Sequence, residues 1–320
     1  MPGARQRALR HAGGETQSTP RRTIVNTDQP VIEIQGLTHR YGRAEAVQGL
    51  NLTVPRGRCY GLFGRNGAGK TTTMKCLLNL LRPRAGTVRI FGLDPRRQEV
   101  AVKSRLAYVP DTVAFYPWMS VRDTLNYFAA FRKHWNRELE AQLLERFRLD
   151  PGKNVNALSK GQKTQLALMT AICPEPELLI LDEPTSGLDP IVRREFIETV
   201  IGAYQEGDPG NRTVLVSTHL ITEFEGLIDE FTIMDAGREV VRMNADEARE
   251  KYQKIRVRFV GEVPKLELPG AISSRTRGRE LEVIVNGGGS VVIDHLRSLG
   301  PEELATESLR LEEIFTVTLQ

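Results

Sequence analysis

The residues best suited to chemistry lie in the stretch GRNGAGKT, at positions 64 to 71. It matches a phosphate-binding loop, in which glycines let backbone N–H groups surround an anion and a lysine neutralises its charge. An apolar run, RCYGLF, precedes the loop and a helix-forming run follows it, so the sequence predicts a strand, a phosphate loop and a helix. The residues predicted to bind the phosphates are Gly64, Arg65, Asn66, Gly67, Ala68, Gly69, Lys70, Thr71 and Thr72.

Two carboxylates follow a second apolar run, LLILDEP, 112 residues beyond Lys70 (182 − 70). A buried strand would place Asp182 and Glu183 together at its tip. Asp182 suits the ligand shell of Mg²⁺, together with the hydroxyl of Thr71, and Glu183 suits the polarisation of an attacking water. A helix cap or a solvated turn is the alternative interpretation of such an acidic pair.

Three more motifs complete a pattern: LSKGQ at 158–162, SGLD at 186–189, and VSTHL, which contains His219. In this order they resemble the ATP-binding cassette (ABC) ATPases, and the resemblance covers about residues 31–243. It implies ATP and Mg²⁺ as cofactors, Lys70, Glu183 and His219 as catalytic residues, and Tyr41 as the platform for adenine. It also implies a metal site of Thr71, Asp182 and Asp111, and a signature loop whose nucleotide contacts are Ser159, Lys160, Gly161 and Gln162.

In this family two cassettes face each other head to tail, and the signature loop of one closes on the ATP held by the other. The resemblance therefore implies a second ABC subunit, in a homodimer or a heterodimer. Two residues depart from the family pattern. Lys160 occupies a position that is usually glycine and adds positive charge near a phosphate. Asp111 replaces a glutamine, and an ionised carboxylate cannot donate a hydrogen bond.

The elements that position these residues read as strands at 31–54, a helix from Ser120 to about Leu149 capped by Ser120 and Asp123, and a hairpin turning at 235–237. The stretch ESLRLEEIFTVTL reads as a last helix. The resemblance implies an α/β P-loop NTPase, with a RecA-like core, an antiparallel β subdomain and an α-helical subdomain. The predicted division is a disordered basic arm at 1–30, the ATPase domain at 31–244 and a small α+β accessory domain at 245–320.

Composition is that of a globular protein, with a formal net charge of +4. Three cysteines without metal-ligand spacing predict buried apolar sites in a reducing cytosol. No apolar run reaches the roughly 18 to 20 residues that a membrane-spanning helix needs. If the protein serves a membrane, it does so through a partner.

The motif set most resembles the ATPase subunits of ABC-2-type exporters, which power a separate membrane permease. That implies a peripheral protein on the cytoplasmic face of the membrane, and no nucleic-acid partner is expected. The exposed-looking cluster Phe115, Tyr116, Trp118 and Met119 is the predicted groove for the permease, and ordinary core packing is its alternative. A non-transport ABC ATPase with a mechanical or regulatory role remains the alternative function.

Overall fold

The computed structural model describes residues 29–205, 212–264 and 266–320, so most of the predicted arm at 1–30 lies outside the described residues. The strands are β1 (Ile32–Tyr41), β2 (Ala44–Val54), β3 (Cys59–Gly64), β4 (Ala85–Ile90), β5 (Leu106–Val109), β6 (Leu178–Asp182), β7 (Thr213–Thr218), β8 (Glu230–Asp235), β9 (Arg238–Asn244), β10 (Tyr252–Arg258), β11 (Ala271–Arg277), β12 (Glu280–Asn286) and β13 (Glu303–Ser308). The α-helices are α1 (Lys70–Leu77), α2 (Glu99–Lys103), α3 (Val121–Ala130), α4 (Arg137–Arg146), α5 (Lys160–Ile172), α6 (Pro190–Gln205), α7 (Ile221–Phe224), α8 (Ala245–Lys251), α9 (Gly289–Ser298) and α10 (Leu311–Thr318).

A six-stranded sheet in the order β5-β6-β7-β3-β8-β9 forms the centre of the fold. Its strands are parallel except for the pair β8 and β9, which is the predicted hairpin. All residues of β3, β6 and β7 are buried, as expected for parallel strands covered on both faces. Because β6, β7 and β3 are adjacent and parallel, their carboxyl ends meet at one edge, where α/β proteins bind ligands.

A three-stranded antiparallel sheet in the order β2-β1-β4 lies against α1 and the central sheet. Its core-facing residues, such as Leu37 and Leu52, share a buried cluster with Tyr60 of β3 and Met74 of α1. Gly36 sits at a shift in the register between β1 and β2 and has a φ of 61°, a conformation that glycine adopts without strain. This arrangement confirms the predicted antiparallel β subdomain.

The helix predicted from Ser120 to Leu149 is in fact two helices, α3 and α4. The predicted cap is confirmed, since Ser120 and Asp123 form a reciprocal capping box. The prediction fails at 131–136, where the side chain of Asn136 caps a new helix. Trp135 lies in this break, and its indole N–H donates to the buried carboxylate of Glu140 at 2.6 Å.

The C-terminal part contains a four-stranded antiparallel sheet in the order β11-β12-β10-β13. One face of this sheet packs against α9 around a small separate core that includes Ile255, Val283 and Leu296. The helix predicted over ESLRLEEIFTVTL is shorter than expected. Its first two residues complete β13, which pairs with β10, and helix α10 starts at Leu311. Helix α8 was not predicted.

Helix α10 packs back onto the ATPase fold rather than onto the small core. Leu309, Leu311 and Ile314 belong to the large buried cluster that also contains Ile221 and Phe224 of α7. Lys254 of β10 forms an ion pair with Glu313 of α10. Helix α10 therefore contacts both parts of the chain. The domain division at 244/245 remains a prediction.

The Lys254–Glu313 pair makes stability depend on pH. Burial is the largest single influence on Glu313 and would raise its pKa, but Lys254 and the backbone N–H of Arg310 together lower that pKa. Burial is also the largest influence on Lys254 and would lower its pKa, but Glu313, Glu282 and Glu307 together raise it. The stabilisation is therefore complete between the unfolded pKa values of about 4.3 and 10.4. It is lost as pH falls through the lowered pKa of Glu313, and also as pH rises through the raised pKa of Lys254.

We expect Glu313→Gln to reduce the free energy of unfolding at pH 7 by about 0.5 to 1 kcal/mol, a value discounted because Glu313 is partly exposed. The difference from the parent should shrink at pH 3.5, because that pH lies below the unfolded pKa of about 4.3 and protonation of the carboxylate in the unfolded chain offsets part of the stabilisation. Urea titrations at the two pH values measure it. Glu280→Gln, an exposed position on β12, is the matched control, and an equal difference at both pH values would contradict the assignment.

The three cysteines, Cys59, Cys76 and Cys173, are buried and unpaired, as predicted. Burial is the main cause that raises their pKa values, to about 12, about 11 and about 12 respectively. Within the described ranges, no helix combines the length and the apolar character needed to cross a bilayer.

Candidate functional site

The phosphate loop connects β3 to α1, as the sequence predicts. Gly67 and Gly69 have φ values of 85° and 100°, and Gly69 is the residue before the first turn of α1. A Cβ atom at Gly69 would overlap the carbonyl oxygen of Ala46. Only glycine therefore fits at this point, and the free N–H groups at the start of α1 face the loop, where an anion is stabilised by the helix terminus.

Lys70 lies across the mouth of this loop and is almost fully buried. Its Nζ donates to the carbonyl oxygen of Gly64 at 2.8 Å and lies 2.9 Å from Oε1 of Glu183. The ammonium is thus held between the loop and a carboxylate. A phosphate that entered the loop would meet this positive charge.

Asp182 is fully buried at the end of β6. Its Oδ1 accepts from Ser217 at 2.7 Å and from Thr71 at 3.2 Å. Burial raises its pKa, with Glu183 and Asp111 adding to the rise, while the hydrogen bonds from Ser217 and Thr71 oppose it. A cation at this carboxylate would favour the ionised form.

Glu183 and His219 form a contact at the carboxyl ends of β6 and β7. Oε2 of Glu183 lies 2.8 Å from Nδ1 of His219 and also accepts from the His219 backbone N–H at 3.3 Å. Glu183 has a φ of 45°, a left-handed conformation that is strained for a residue with a Cβ atom. The orientation of this carboxylate is therefore fixed by contacts with the surrounding fold and not by the conformational preference of the Glu183 backbone.

Two residues of this cluster, Ser217 and Tyr108, were not predicted. Ser217 is paired with Asp182 in the register of β6 and β7, and the hydroxyl of Tyr108 on β5 donates to Oδ2 of Asp182 at 3.4 Å. Ser217 stands two positions before His219 in the motif VSTHL. Only the order of the strands could have identified it as a neighbour of Asp182.

The signature loop begins helix α5. Ser159 is the N-cap of this helix and forms a capping box with Gln162. Gly161 lies in the first turn beneath Val192 of α6, and a Cβ atom there would be 3.1 Å from that side chain. The loop thus presents the positive end of α5, as expected for an anion site.

Lys160, predicted to add positive charge near a phosphate, also makes a contact within its own chain. Its Nζ donates to the carbonyl oxygen of Ser186, in the motif SGLD, at 2.7 Å. The ammonium therefore links two loops of the same chain. An open groove beside this contact is lined by Asp111, Thr112, Val113, Lys160, Lys163, Thr164 and Ser186.

Tyr41 ends β1 and is half exposed, with its ring at 4.9 Å from that of His39. It is paired with Ala44 at the turn of the β1–β2 hairpin, and the same hairpin supplies Ala46, which touches Gly69 of the phosphate loop. The structure therefore places the predicted adenine platform on a hairpin next to the loop.

The exposed aromatic surface does not consist of the same residues as the predicted groove. Phe115 packs against the large core, whereas Trp118 is 71% exposed. Tyr127 and Phe131, which were not predicted, extend the exposed aromatic surface. We call this surface the aromatic patch, and its members are Tyr116, Trp118, Tyr127 and Phe131.

The oxygen ligands of this site fit Mg²⁺. In the described part of the chain no group of three or more His, Cys, Asp or Glu residues could hold a metal by itself. Mg²⁺ commonly takes one or two carboxylates together with phosphate oxygens of the substrate, and Asp182 with the hydroxyl of Thr71 supplies such a partial set.

Comparisons with known proteins identify the family of the chain. A family model described as ABC transporter matches residues 47–186. The bacitracin transport ATP-binding protein BcrA of Enterococcus faecalis is 36% identical over 226 residues, which are 70% of this chain and 72% of that protein. The daunorubicin resistance ATP-binding protein DrrA3 of Streptomyces coeruleorubidus is 38% identical over 223 residues, which are 68% and 69%.

A solved structure of an ATP-binding subunit of an ABC transporter is also similar. It is 29% identical, covers 69% of this chain and 92% of that chain, and superposes with a TM-score of 0.62. These similarities confirm the predicted resemblance and the predicted P-loop α/β fold class.

Proposed function

The chain belongs to the family of ABC transporter ATP-binding proteins, and from this premise we propose that it is the ATPase subunit of an ABC-2-type exporter, powering a separate membrane permease. The observation that carries the proposal is the meeting of Lys70, Asp182, Glu183 and His219 around one phosphate loop. These residues come from three different segments of the sequence. Mere core packing would not bring two carboxylates, an ammonium and an imidazole to one strand edge.

Each side chain has a role that follows from its place. Lys70 and the loop N–H groups bind the terminal phosphates, and Thr71 with Asp182 would hold Mg²⁺. Asp111, whose charge adds to the raised pKa of Asp182, is the predicted third ligand. The metal supplies charge stabilisation on the phosphate oxygens. Glu183 polarises the attacking water, and His219 orients Glu183 and the terminal phosphate.

The signature loop serves the nucleotide of a second ABC subunit. The positive end of α5 carries Ser159, Gly161 and Gln162. The contacts described above for the chain's own phosphate loop involve none of these three residues. Two chains arranged head to tail would each place this helix end against the ATP of the other. ATP then joins the subunits, and its hydrolysis weakens the joint.

Transport is favoured over a mechanical or regulatory role because the similar proteins are named for bacitracin transport and for daunorubicin resistance. The permease would dock on the aromatic patch, where large rings stand exposed beside the Asp111 loop. Aromatic anchors dominate many protein interfaces. The chain would then act on the cytoplasmic face of the membrane.

The combined variant Trp118→Ala/Phe131→Ala tests this docking surface. We expect association with the co-expressed permease to weaken at least about tenfold, because exposed aromatic anchors are lost. The ATPase rate of the isolated chain should stay within about twofold. Co-purification from membranes and phosphate release measure the two quantities.

Val100→Ala, at an exposed apolar position on α2 outside the patch, is the control. Equal permease binding by the patch variant and the control would exclude the aromatic patch as the docking surface.

The central test of the proposal is steady-state phosphate release by the purified chain, with and without Mg²⁺. Hydrolysis that needs Mg²⁺ and rises when the permease is added is the expected result. A chain that binds ATP but hydrolyses none in either state would contradict it.

A further inference from the structure

Helix α10 contacts the segment that follows His219. The hydroxyl of Thr222 on α7 donates to Oε2 of Glu312 at 2.7 Å. Just beyond α7, the carboxylate of Glu225 accepts from the backbone N–H of Leu311 at 2.8 Å and so satisfies one of the free N–H groups at the start of α10. The two elements are therefore joined by two hydrogen bonds.

Apolar packing reinforces these bonds. Ile221 and Phe224 of α7 and Ile314 of α10 are fully buried in the same cluster. Helix α7 has only four residues, and a helix this short has no stability of its own. Its position is therefore set by what packs against it, and α10 is one of those neighbours.

The end of α10 also contacts the phosphate loop. Arg65, the second residue of the phosphate loop, donates from Nη2 to the carbonyl oxygen of Leu319 at 3.2 Å. The other side of α10 is fixed to the C-terminal sheet through the ion pair of Lys254 with Glu313. One helix thus connects the C-terminal sheet, the phosphate loop and the segment next to His219.

We propose that α10 positions the nucleotide site, and that Thr222 and Glu225 are positioning residues that act through His219. Only one residue, Leu220, separates His219 from α7. A shift of α7 would therefore move the imidazole away from Glu183, to which it now lies at 2.8 Å. The inference rests on the ATPase activity proposed above, and it gives the C-terminal segment a role in hydrolysis that does not require contact with ATP.

Two double variants of the full chain test the proposal. Thr222→Val/Glu225→Ala removes both hydrogen bonds, whereas Thr222→Ser/Glu225→Gln keeps a donor and an acceptor at the same positions. We expect the first pair to lower kcat by about three- to tenfold and to leave KM for ATP within about twofold, because His219 acts on hydrolysis more than on binding. The second pair should retain most of the parental kcat.

Thr222→Val alone should also lower kcat. Because Thr222 is exposed, this single variant is expected to fold, and it keeps the test valid if the double variant misfolds. Thermal unfolding is recorded for every variant. Equal loss of kcat in both pairs would overturn the inference, as would an unchanged kcat in Thr222→Val/Glu225→Ala. An inactive parent chain would instead overturn the proposed function and the inference with it, so the two failures are distinguishable.

Discussion

Glu183→Gln should reduce steady-state ATP hydrolysis by about 100-fold or more, the range expected when a general base is lost. The amide has nearly the same shape, so the contact with His219 can persist, but it cannot take a proton from water. ATP binding should be retained or strengthened, because the carboxylate that now pairs with Lys70 at 2.9 Å no longer competes with the phosphates. Phosphate release and nucleotide binding are measured in parallel.

Glu183→Gln should accumulate as an ATP-bound dimer in the presence of Mg²⁺, because hydrolysis is the step expected to weaken the interface between the subunits. Size-exclusion chromatography with and without ATP reveals the shift. Glu198→Gln is the control, because Glu198 is an exposed glutamate of α6 paired with Arg146 and Arg194. A persistent monomer would contradict self-pairing, and a dimer that forms only with a different ABC subunit would assign the chain to a heterodimer.

Lys70→Ala should raise the Kd for ATP at least about 100-fold, which corresponds to about 2.7 kcal/mol. Lys70 is a buried ammonium held at the loop by the carbonyl oxygen of Gly64 at 2.8 Å, and charge-assisted bonds to phosphate are among the strong ones. The substitution also leaves Glu183 without its cation, so a phosphate would meet unbalanced negative charge. Equilibrium binding of a fluorescent ATP analogue measures the loss.

Lys75 lies five residues further along α1, and Lys75→Ala serves as the matched control for Lys70→Ala. It should bind ATP with the affinity of the parent. If both variants bound ATP equally well, the loop would not be the nucleotide site, whatever its resemblance to one.

Local features of the site could be predicted from the sequence. The glycines of the phosphate loop, the cap at Ser120 and the acids at the tip of β6 depend on neighbours within a few residues. Their physical causes, which are φ preference, capping and burial, act at short range. The structure agrees with the predicted elements at each of these positions.

Other features depend on contacts between distant segments, and these were missed. Ser217 meets Asp182 only because β7 lies beside β6, and no spacing in the sequence encodes that register. The break before Asn136 was hidden because Trp135 fits a helical pattern but donates instead to Glu140. Helix α10 was expected to belong to the accessory part, yet its apolar face packs against α7. The apolar pattern of a helix predicts which face is buried, but it does not predict which element covers that face.

The φ of 45° at Glu183 affects the free energy of unfolding of the whole protein. A left-handed backbone at a residue other than glycine costs about 1 to 3 kcal/mol, a sizeable share of the 5 to 15 kcal/mol that typically separates native from unfolded proteins. A chain shaped by folding alone would carry glycine at this position. Glu183 is one of six described residues other than glycine with a positive φ, and the strain at this position falls on a side chain that contacts both Lys70 and His219. The fold is therefore less stable than the same fold with an unstrained backbone at this position would be.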